Sequence, residues 1–298
     1  MSFLDRIREC NDFELADYRP FVVDGERLGW VGHDFAERLA VLGEVFMVNN
    51  AAVEFDPQLA DFASRSAAMA RVLARLGEEG AIPAWRGELY PVTTAFGAPP
   101  LLEMERAAVP LFGVQAFGVH LNGFVRGRDG GGGGGGGGGA LAMWIGRRAR
   151  DKATFPGMLD NLVAGGQPIG LSLMDNLVKE CGEEASIPPS LAGQAVAVGE
   201  VGYCAEIDGA LKPDTMFCYD LELPADFIPV NADGELEGFE LWPMDQVAAT
   251  VRDTRDFKFN CNLVIIDFLV RHGWIGPGDP DHAEIVAGLR QGDGVRLV

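Results

Sequence analysis

The sequence predicts a protein of the α/β or α+β class. Two patterns occur along the chain: apolar residues at every second position, typical of half-buried strands, and apolar residues three or four positions apart, typical of helices. The chain has 298 residues and 48% of them are hydrophobic. That content is sufficient for one large domain or for two domains of ordinary size.

The first hundred or so residues form a unit of their own in this pattern. Residues 2–10 have the apolar spacing of a helix. Residues 21–31 predict two short strands, because their central Asp-Gly pair is typical of a hairpin turn. Residues 57–77 predict a helix of about five turns that ends at Gly77. Residues 90–113 contain several prolines and predict a loop-rich connection.

Longer strand-like segments follow. Residues 117–125 and 140–148 predict two partner strands, and residues 201–209 and 214–224 predict a second pair. Residues 259–273 predict a buried helix that ends with arginine, histidine and a capping glycine. These segments predict a larger C-terminal unit that contains the main sheet.

An unbroken run of ten glycines, Gly130 to Gly139, separates the first two of these strands. The run contains no lysine and has neither of the glycine spacings that bind phosphates. We interpret it as a flexible insertion in a hairpin, without a chemical role.

The formal net charge of −20 limits the partners of the protein. Binding to nucleic acid needs a basic surface, so we expect no nucleic-acid partner. An acidic protein can bind a phosphorylated small molecule when a divalent metal lies between them. The alternative is that the charge only keeps the protein soluble.

The remaining composition indicates a soluble, cytoplasmic protein. The sequence has no apolar run long enough to span a membrane, and its charged N-terminus lacks an apolar signal core. The five cysteines are scattered without a C-x-x-C pair, and the four histidines are dispersed. We therefore expect free thiols and neither a disulfide framework nor a zinc site.

A helix that carries three glutamates is the strongest chemical signal. Ser172 and Asp175 form an imperfect capping box at its start, and Pro188 stops it. One buried stripe is predicted from residues spaced by four, namely Leu173, Leu177, Cys181 and Ala185.

Glu180, Glu183 and Glu184 lie within an arc of about 100° on another side of this helix. Like charges at this spacing cost a few tenths of a kcal/mol per pair, and Gly182 costs roughly 1 kcal/mol more. One interpretation is a solvated acidic face. The other is a site for a hard cation such as Mg²⁺, which binds carboxylates, waters and substrate phosphates.

The segment before and within this helix resembles the Nudix box, G-x5-E-x7-R-E-U-x-E-E-x-G-U, where U is apolar. Residues 179–187 match its second half, with Lys179 at the arginine position, Glu180, Glu183 and Glu184 at the glutamates, and Cys181 and Ile187 at apolar positions. Counting back from Glu180, the first glycine of the box is Gly165. Besides Lys179, the box has two departures here: Leu171 replaces the early glutamate, and Ser186 replaces the last glycine.

The resemblance extends to one Nudix subgroup over nearly the whole chain. This subgroup is related to the Nudix portion found with thiamine pyrophosphokinase in fungi, and also to plant thiamine diphosphate phosphatases. The resemblance is seen in residues 144–185, 211–224 and 257–273. The N-terminal stretch, with residues 96–124, is similar to the accessory domain that precedes the Nudix fold in that group. The resemblance implies an N-terminal α+β accessory domain, residues 1–113, and a Nudix α/β/α sandwich with a mixed sheet, residues 114–298.

The resemblance also implies a reaction: hydrolysis of thiamine diphosphate, or of its oxo or oxy forms, to the monophosphate and inorganic phosphate, with Mg²⁺ or Mn²⁺. It implies that Glu180, Glu183 and Glu184 hold the metal, with Glu184 and Glu183 as the catalytic candidates. The carbonyl of Gly165 is a further expected ligand. A last glutamate from a later loop is expected to complete the site, and we choose Glu237 over Glu235.

The densest basic cluster stands just before this helix and consists of Arg147, Arg148, Arg150 and Lys152. Guanidinium groups suit bidentate contact with phosphate, so we expect at least one of them to bind substrate. The alternative is an ordinary charged strand end. The thiazolium cation of the implied substrate favours an aromatic face, for which Trp85, Tyr90 and Phe112 are candidates, although each also fits a core position.

Two other functions stay open on the sequence. The box reports a diphosphate and not the group attached to it, so a nucleoside diphosphate derivative is an alternative substrate. Some Nudix folds bind without cleaving, but the complete set of Glu180, Glu183 and Glu184 favours an enzyme.

Overall fold

The computed structural model describes residues 1–82, 85–127, 141–152 and 154–290. The strands are β1 (Tyr18–Val23), β2 (Glu26–Gly32), β3 (Phe46–Val48), β4 (Val53–Phe55), β5 (Leu89–Val92), β6 (Leu102–Glu105), β7 (Ala116–Arg126), β8 (Leu141–Arg148), β9 (Leu159–Asp160), β10 (Val163–Gly166), β11 (Val196–Ile207), β12 (Ala210–Glu222) and β13 (Leu236–Pro243). The α-helices are α1 (Phe3–Glu9), α2 (His33–Ala40), α3 (Phe62–Glu78), α4 (Leu173–Ala185), α5 (Pro189–Ala192), α6 (Met244–Asp253), α7 (Phe259–Arg271) and α8 (His282–Gly288).

A small sheet lies in the N-terminal part. Its strand order is β2-β1-β4-β3, in which β1 and β4 are parallel and the other pairs are antiparallel. The helix α3 begins after Asp61, whose side chain accepts from the backbone N–H of Ser64 in a capping box. Its apolar face, including Met69, Leu73 and Leu76, packs into the core of this part.

The main sheet has seven strands and forms the middle layer of an α/β/α sandwich. Five strands follow the order β11-β12-β7-β8-β13, and the short strands β10 and β9 pair with β7 and β8. The sheet is mixed, because β12 and β7 are parallel whereas their neighbours are antiparallel. The expected α/β fold with a mixed sheet is therefore confirmed.

Helices cover both faces of the main sheet. On one face, Leu177 and Cys181 of α4 pack against β7 and β12. The other face is covered by α6, α7 and α8, with the apolar side of α1 in the same core. The first helix of the chain thus packs with C-terminal helices, while the predicted domain boundary after residue 113 stays a prediction.

Several predicted elements are confirmed: the first helix, the hairpin of β1 and β2, the pairing of β11 with β12, and the buried helix α7. Strands β7 and β8 pair antiparallel at residues 124–126 and 141–143, as expected. The glycine run between them, and the prediction for it, lies outside the described residues.

Two local predictions were wrong. Residues 90–113 are not mainly a loop, because β5 and β6 form a hairpin in which Tyr90 and Met104 point into the core. The long helix continues to Glu78, and the left-handed residue beyond it is Gly80, with φ of +71°, so Gly77 does not end it. Within the described residues, no helix has the length and apolar character needed to cross a membrane.

Candidate active site

The helix α4 begins and ends as its sequence indicates. The Ser172 hydroxyl accepts from the backbone N–H of Asp175 at 3.1 Å and donates to the Asp175 carboxylate at 2.6 Å. Ser186, at the glycine position of the box, is the C-cap and has a left-handed φ of +52°. This conformation explains why the box pattern has glycine there, since glycine adopts it without steric cost.

The three glutamates of α4 have different environments. Glu184 is 9% exposed, and its Oε2 accepts from the backbone N–H of Ala164 at 2.9 Å. Glu180 is half-buried, whereas Glu183 is exposed. Lys179, at the arginine position, donates to Glu183 at 2.6 Å and to Glu180 at 3.2 Å. The lysine therefore offsets part of the repulsion between these carboxylates.

Gly165 lies on β10 against the glutamate helix. A Cβ built on this glycine would overlap the side chain of Glu180 and lie 2.8 Å from its Oε1. Gly165 is thus needed for the close approach of Glu180 to β10. The backbone at Gly165, whose carbonyl we predict as a ligand, is therefore next to one of the three glutamates.

A second acidic segment approaches the helix from the loop before β13. Ligand oxygens of Glu184, Asp233 and Glu235 all lie within 4.8 Å of one another. The backbone N–H of Ala149, just after β8, donates to the Glu235 carbonyl at 3.0 Å and holds this loop in place. Glu237 lies in the first part of β13, where a bulge shifts the register, and it pairs with Arg150 at 3.4 Å.

Burial and charge change the acidity of this cluster. Burial, reinforced by the charges of Asp160, Glu180 and Glu235, raises the pKa of Glu184 well above its usual value. Burial also raises the pKa of Glu180. Burial alone would raise the pKa of Glu235, but the ion pair with Lys152 at 2.6 Å brings it below the usual value.

This donor set fits a hard divalent cation. Carboxylate oxygens are the ligands that Mg²⁺ and Mn²⁺ prefer, and converging carboxylates repel one another without a cation. Burial first, and the charges of neighbouring carboxylates after it, raise the pKa of Glu184. Asp233 was missed in the sequence, although it stands two positions before Glu235 in a turn around Gly234.

The four predicted basic residues have partners within the protein. Arg148 is buried, donates to Asp160 at 2.8 Å and also donates to the carbonyls of Phe155 and Thr154. These bonds commit its guanidinium to the loop after β8. Lys152 is the member of this cluster that contacts the acidic site, through Glu235.

The other two are nearer the surface. Arg147 donates to the Gly157 carbonyl at 3.3 Å and lies 3.6 Å from the Glu240 carboxylate. Arg150 is 84% exposed beside Glu237. The substrate-binding role of the four residues stays a prediction.

The three aromatic candidates separate clearly. Phe112 is fully buried and packs edge-on against Phe21, so it is a core residue. Trp85 is 51% exposed and lies beside Gly77 of α3. Tyr90 is buried, and its hydroxyl occupies the space that a side chain on Gly166 would need.

Comparisons with known proteins show the family of this chain. A family model described as "Domain of unknown function (DUF4743)" matches residues 2–116. Two relatives from Arabidopsis thaliana, "Nudix hydrolase 20, chloroplastic" and "Nudix hydrolase 24, chloroplastic", are each 43% identical over 98% of this chain and 78% of their own length. A protein of Saccharomyces cerevisiae, "Uncharacterized protein YJR142W", is 29% identical over 94% of this chain and 85% of its own.

Among solved structures, the Nudix domain of Shewanella oneidensis NrtR, complexed with ADP ribose, is 14% identical over 55% of this chain and 91% of that one. Its TM-score of 0.40 supports no argument about function. The identity of 43% with the plant proteins extends over nearly the whole chain. The protein therefore belongs to the Nudix hydrolase family, whose enzymes hydrolyse diphosphates.

Proposed function

We propose that the protein hydrolyses thiamine diphosphate, or its oxo or oxy analogues, to the monophosphate and inorganic phosphate. The observation that supports cleavage is the convergence of Glu184, Glu235 and Asp233 beside Glu180. The choice of a thiamine compound rests on the whole-chain resemblance to the thiamine-related subgroup, because the acidic site recognises only the diphosphate.

The carboxylates have two tasks in this proposal. Glu184, Glu235 and Asp233, with Glu180 and the Gly165 carbonyl, would hold Mg²⁺ or Mn²⁺. When bound, the metal neutralises phosphate charge and lowers the pKa of a coordinated water. Glu183 and Glu184 are the candidates to accept the proton of the attacking water. The geometry favours Glu235 over Glu237 as the added ligand, because a carboxylate oxygen of Glu235 lies within 4.8 Å of Glu184 and Asp233.

Phosphate release from a substrate panel tests this proposal. We expect thiamine diphosphate or an oxidised analogue to have a higher kcat/KM than ADP-ribose or 8-oxo-dGTP, with activity that requires Mg²⁺ or Mn²⁺ and stops with EDTA. If a nucleotide had a kcat/KM tenfold higher than that of every thiamine compound, the substrate would be a nucleoside diphosphate derivative instead. Binding without turnover of any compound would indicate a diphosphate-binding module.

The same assay tests the site. Glu184→Gln should lower kcat by orders of magnitude, because it removes a charged ligand while keeping the acceptor for Ala164. Glu79→Gln is a matched control, since Glu79 pairs with Arg75 on the surface of α3. Wild-type turnover by Glu184→Gln would show that the site is assigned to the wrong residues.

A further inference from the structure

The hairpin of β5 and β6 and the 3₁₀ helix after it, Arg106–Phe112, contact the edge of the candidate active site. The backbone N–H of Ile169, in the loop that leads into α4, donates to the carbonyl of Leu89 at 3.1 Å. The N-terminal part of the chain is therefore bonded directly to the loop that precedes the glutamate helix.

Gly166 is the point at which the two parts meet. A Cβ on this glycine would overlap the Tyr90 hydroxyl and lie 3.4 Å from Cζ of Arg106. The Gly166 carbonyl is fixed from the other side, since it accepts from Asn176 of α4 at 2.9 Å. Tyr90 and Arg106 thus lie against Gly166 of β10. The residue before it in the same strand, Gly165, lies against Glu180.

Arg106 is held in place but still accessible. Its Nη1 donates to Glu88 at 2.9 Å, and its Cζ lies 5.6 Å from the centre of the Tyr90 ring. The side chain is 41% exposed, so solvent or a ligand can reach the guanidinium.

A diphosphate that enters this site is negatively charged, and so are the carboxylates around it: Glu180, Glu183, Glu184, Asp233 and Glu235. Positive groups are therefore needed to offset the repulsion between the diphosphate and these carboxylates. Two of the four basic residues near the end of β8 are committed to other groups, since Arg148 holds its loop and Lys152 pairs with Glu235. Arg106 lies against Gly166, the residue after Gly165, and its guanidinium is accessible. A guanidinium suits bidentate contact with phosphate oxygens.

We propose that Arg106 is a substrate-binding residue that the N-terminal part contributes to the active site, where it binds an anionic oxygen of the diphosphate. Tyr90 and Glu88 are positioning residues: the ring and the carboxylate orient the guanidinium toward Gly166. This inference rests on the proposed function, because it needs a diphosphate in the site. It gives the N-terminal part a direct role in binding substrate.

Kinetics of Arg106→Ala test the inference, with the best substrate of the panel and with inorganic pyrophosphate as a competing ligand. We expect KM and the inhibition constant of pyrophosphate to rise about tenfold or more, with a smaller rise for Arg106→Lys. The Mg²⁺ concentration at half-maximal activity should change much less. Arg75→Ala, which removes an exposed arginine of α3 paired with Glu79, should leave both constants unchanged.

A second pair of variants tests the contact at Gly166. Gly166→Ala should raise KM, because the new methyl group overlaps the Tyr90 hydroxyl, and adding Tyr90→Phe should recover part of the loss. Recovery would not occur if Gly166→Ala acted only by unfolding β10.

The outcomes separate the inference from the function on which it rests. Unchanged KM and pyrophosphate inhibition in a folded, active Arg106→Ala variant would overturn the inference and leave the diphosphatase intact. A wild-type protein that neither cleaves the panel nor binds pyrophosphate would overturn both.

Discussion

Glu184 is a side chain whose charge is unfavourable for folding and which we propose as a metal ligand. It is buried among other carboxylates, and its pKa is raised well above the usual value by burial first and by neighbouring charges second. A raised carboxyl pKa means that the folded state loses stability as pH rises toward neutrality, since the charged form is the disfavoured one. A bound divalent cation reverses this preference.

Melting temperatures of Glu184→Gln should show this reversal. In EDTA at neutral pH, we expect the variant to be at least as stable as wild type, because its neutral amide carries no charge into the buried site. Mg²⁺ should raise the melting temperature of wild type and have little effect on the variant. A variant that melts well below wild type in EDTA would mean that the carboxylate has a structural role beyond its bond to Ala164.

Glu235 and Glu237 form a matched pair for the added metal ligand. Only two positions separate them, but Glu235 lies within 4.8 Å of Glu184 whereas Glu237 pairs with Arg150. We expect Glu235→Gln to raise the Mg²⁺ concentration at half-maximal activity by about tenfold or more, and Glu237→Gln to change it less than twofold. The reverse order in a Mg²⁺ titration would restore Glu237 as the ligand.

At the scale of elements, α4 combines strong local signals with local costs. The Ser172 cap and the buried stripe define the helix, while Gly182 and the clustered glutamates weaken it. Its contacts with the sheet, through Leu177 and Cys181, offset this weakness. The helix is therefore stable because it packs on the sheet and not because of its own propensity.

Two glycine substitutions distinguish helix propensity from site geometry. Gly182 is exposed, and a Cβ there would meet nothing within 4 Å, so Gly182→Ala should stabilise the protein by about 0.5–1 kcal/mol and keep kcat/KM within twofold. Gly165→Ala should instead reduce activity strongly, because its Cβ overlaps Glu180. Denaturant unfolding and kinetics measure both effects, and a loss of activity in Gly182→Ala would contradict this separation.

For the whole molecule, a buried histidine couples stability to pH. His120 of β7 is 5% exposed, and its Nδ1 lies 3.0 Å from Oδ1 of Asn161. Burial, assisted by the charge of Lys258, lowers the pKa of His120 to about 4. Between pH about 6.5, where an unfolded histidine titrates, and pH about 4, the unfolded state binds a proton that the folded state excludes.

The unfolding free energy should therefore fall as pH is lowered through this window, by roughly 3 kcal/mol for this one group. His120→Asn should remove that part of the pH dependence, whereas His33→Asn, at an exposed histidine, should not. Denaturant titrations at pH 7 and pH 4.5 measure the difference. If the unfolding free energies of wild type and His120→Asn fell equally between pH 7 and pH 4.5, the pKa of His120 would not be lowered in the folded protein.

Local chemistry was sufficient to predict much of the fold. The Asp-Gly turn defines the hairpin of β1 and β2, and the cap of Ser172 with its four-residue spacing defines α4 and places three glutamates on it. Short elements such as β3, β4 and β9 escaped, because two or three residues carry too little periodicity. The hairpin of β5 and β6 escaped because its prolines are also typical of loops.

By itself, the sequence determined the glutamate helix, because its cap and its apolar spacing lie within a few turns of the chain. It also determined the class of reaction, because the Nudix box is a local motif. Only the tertiary structure decided that Glu235 and Asp233 join Glu184, and that Arg106 and Tyr90 reach Gly166. Glu235, just before β13, joins this cluster, whereas Glu237, two positions later, pairs with Arg150, and packing brings Tyr90 and Arg106 against Gly166. Such contacts depend on how distant elements pack together, and residue spacing along the chain carries no record of that arrangement.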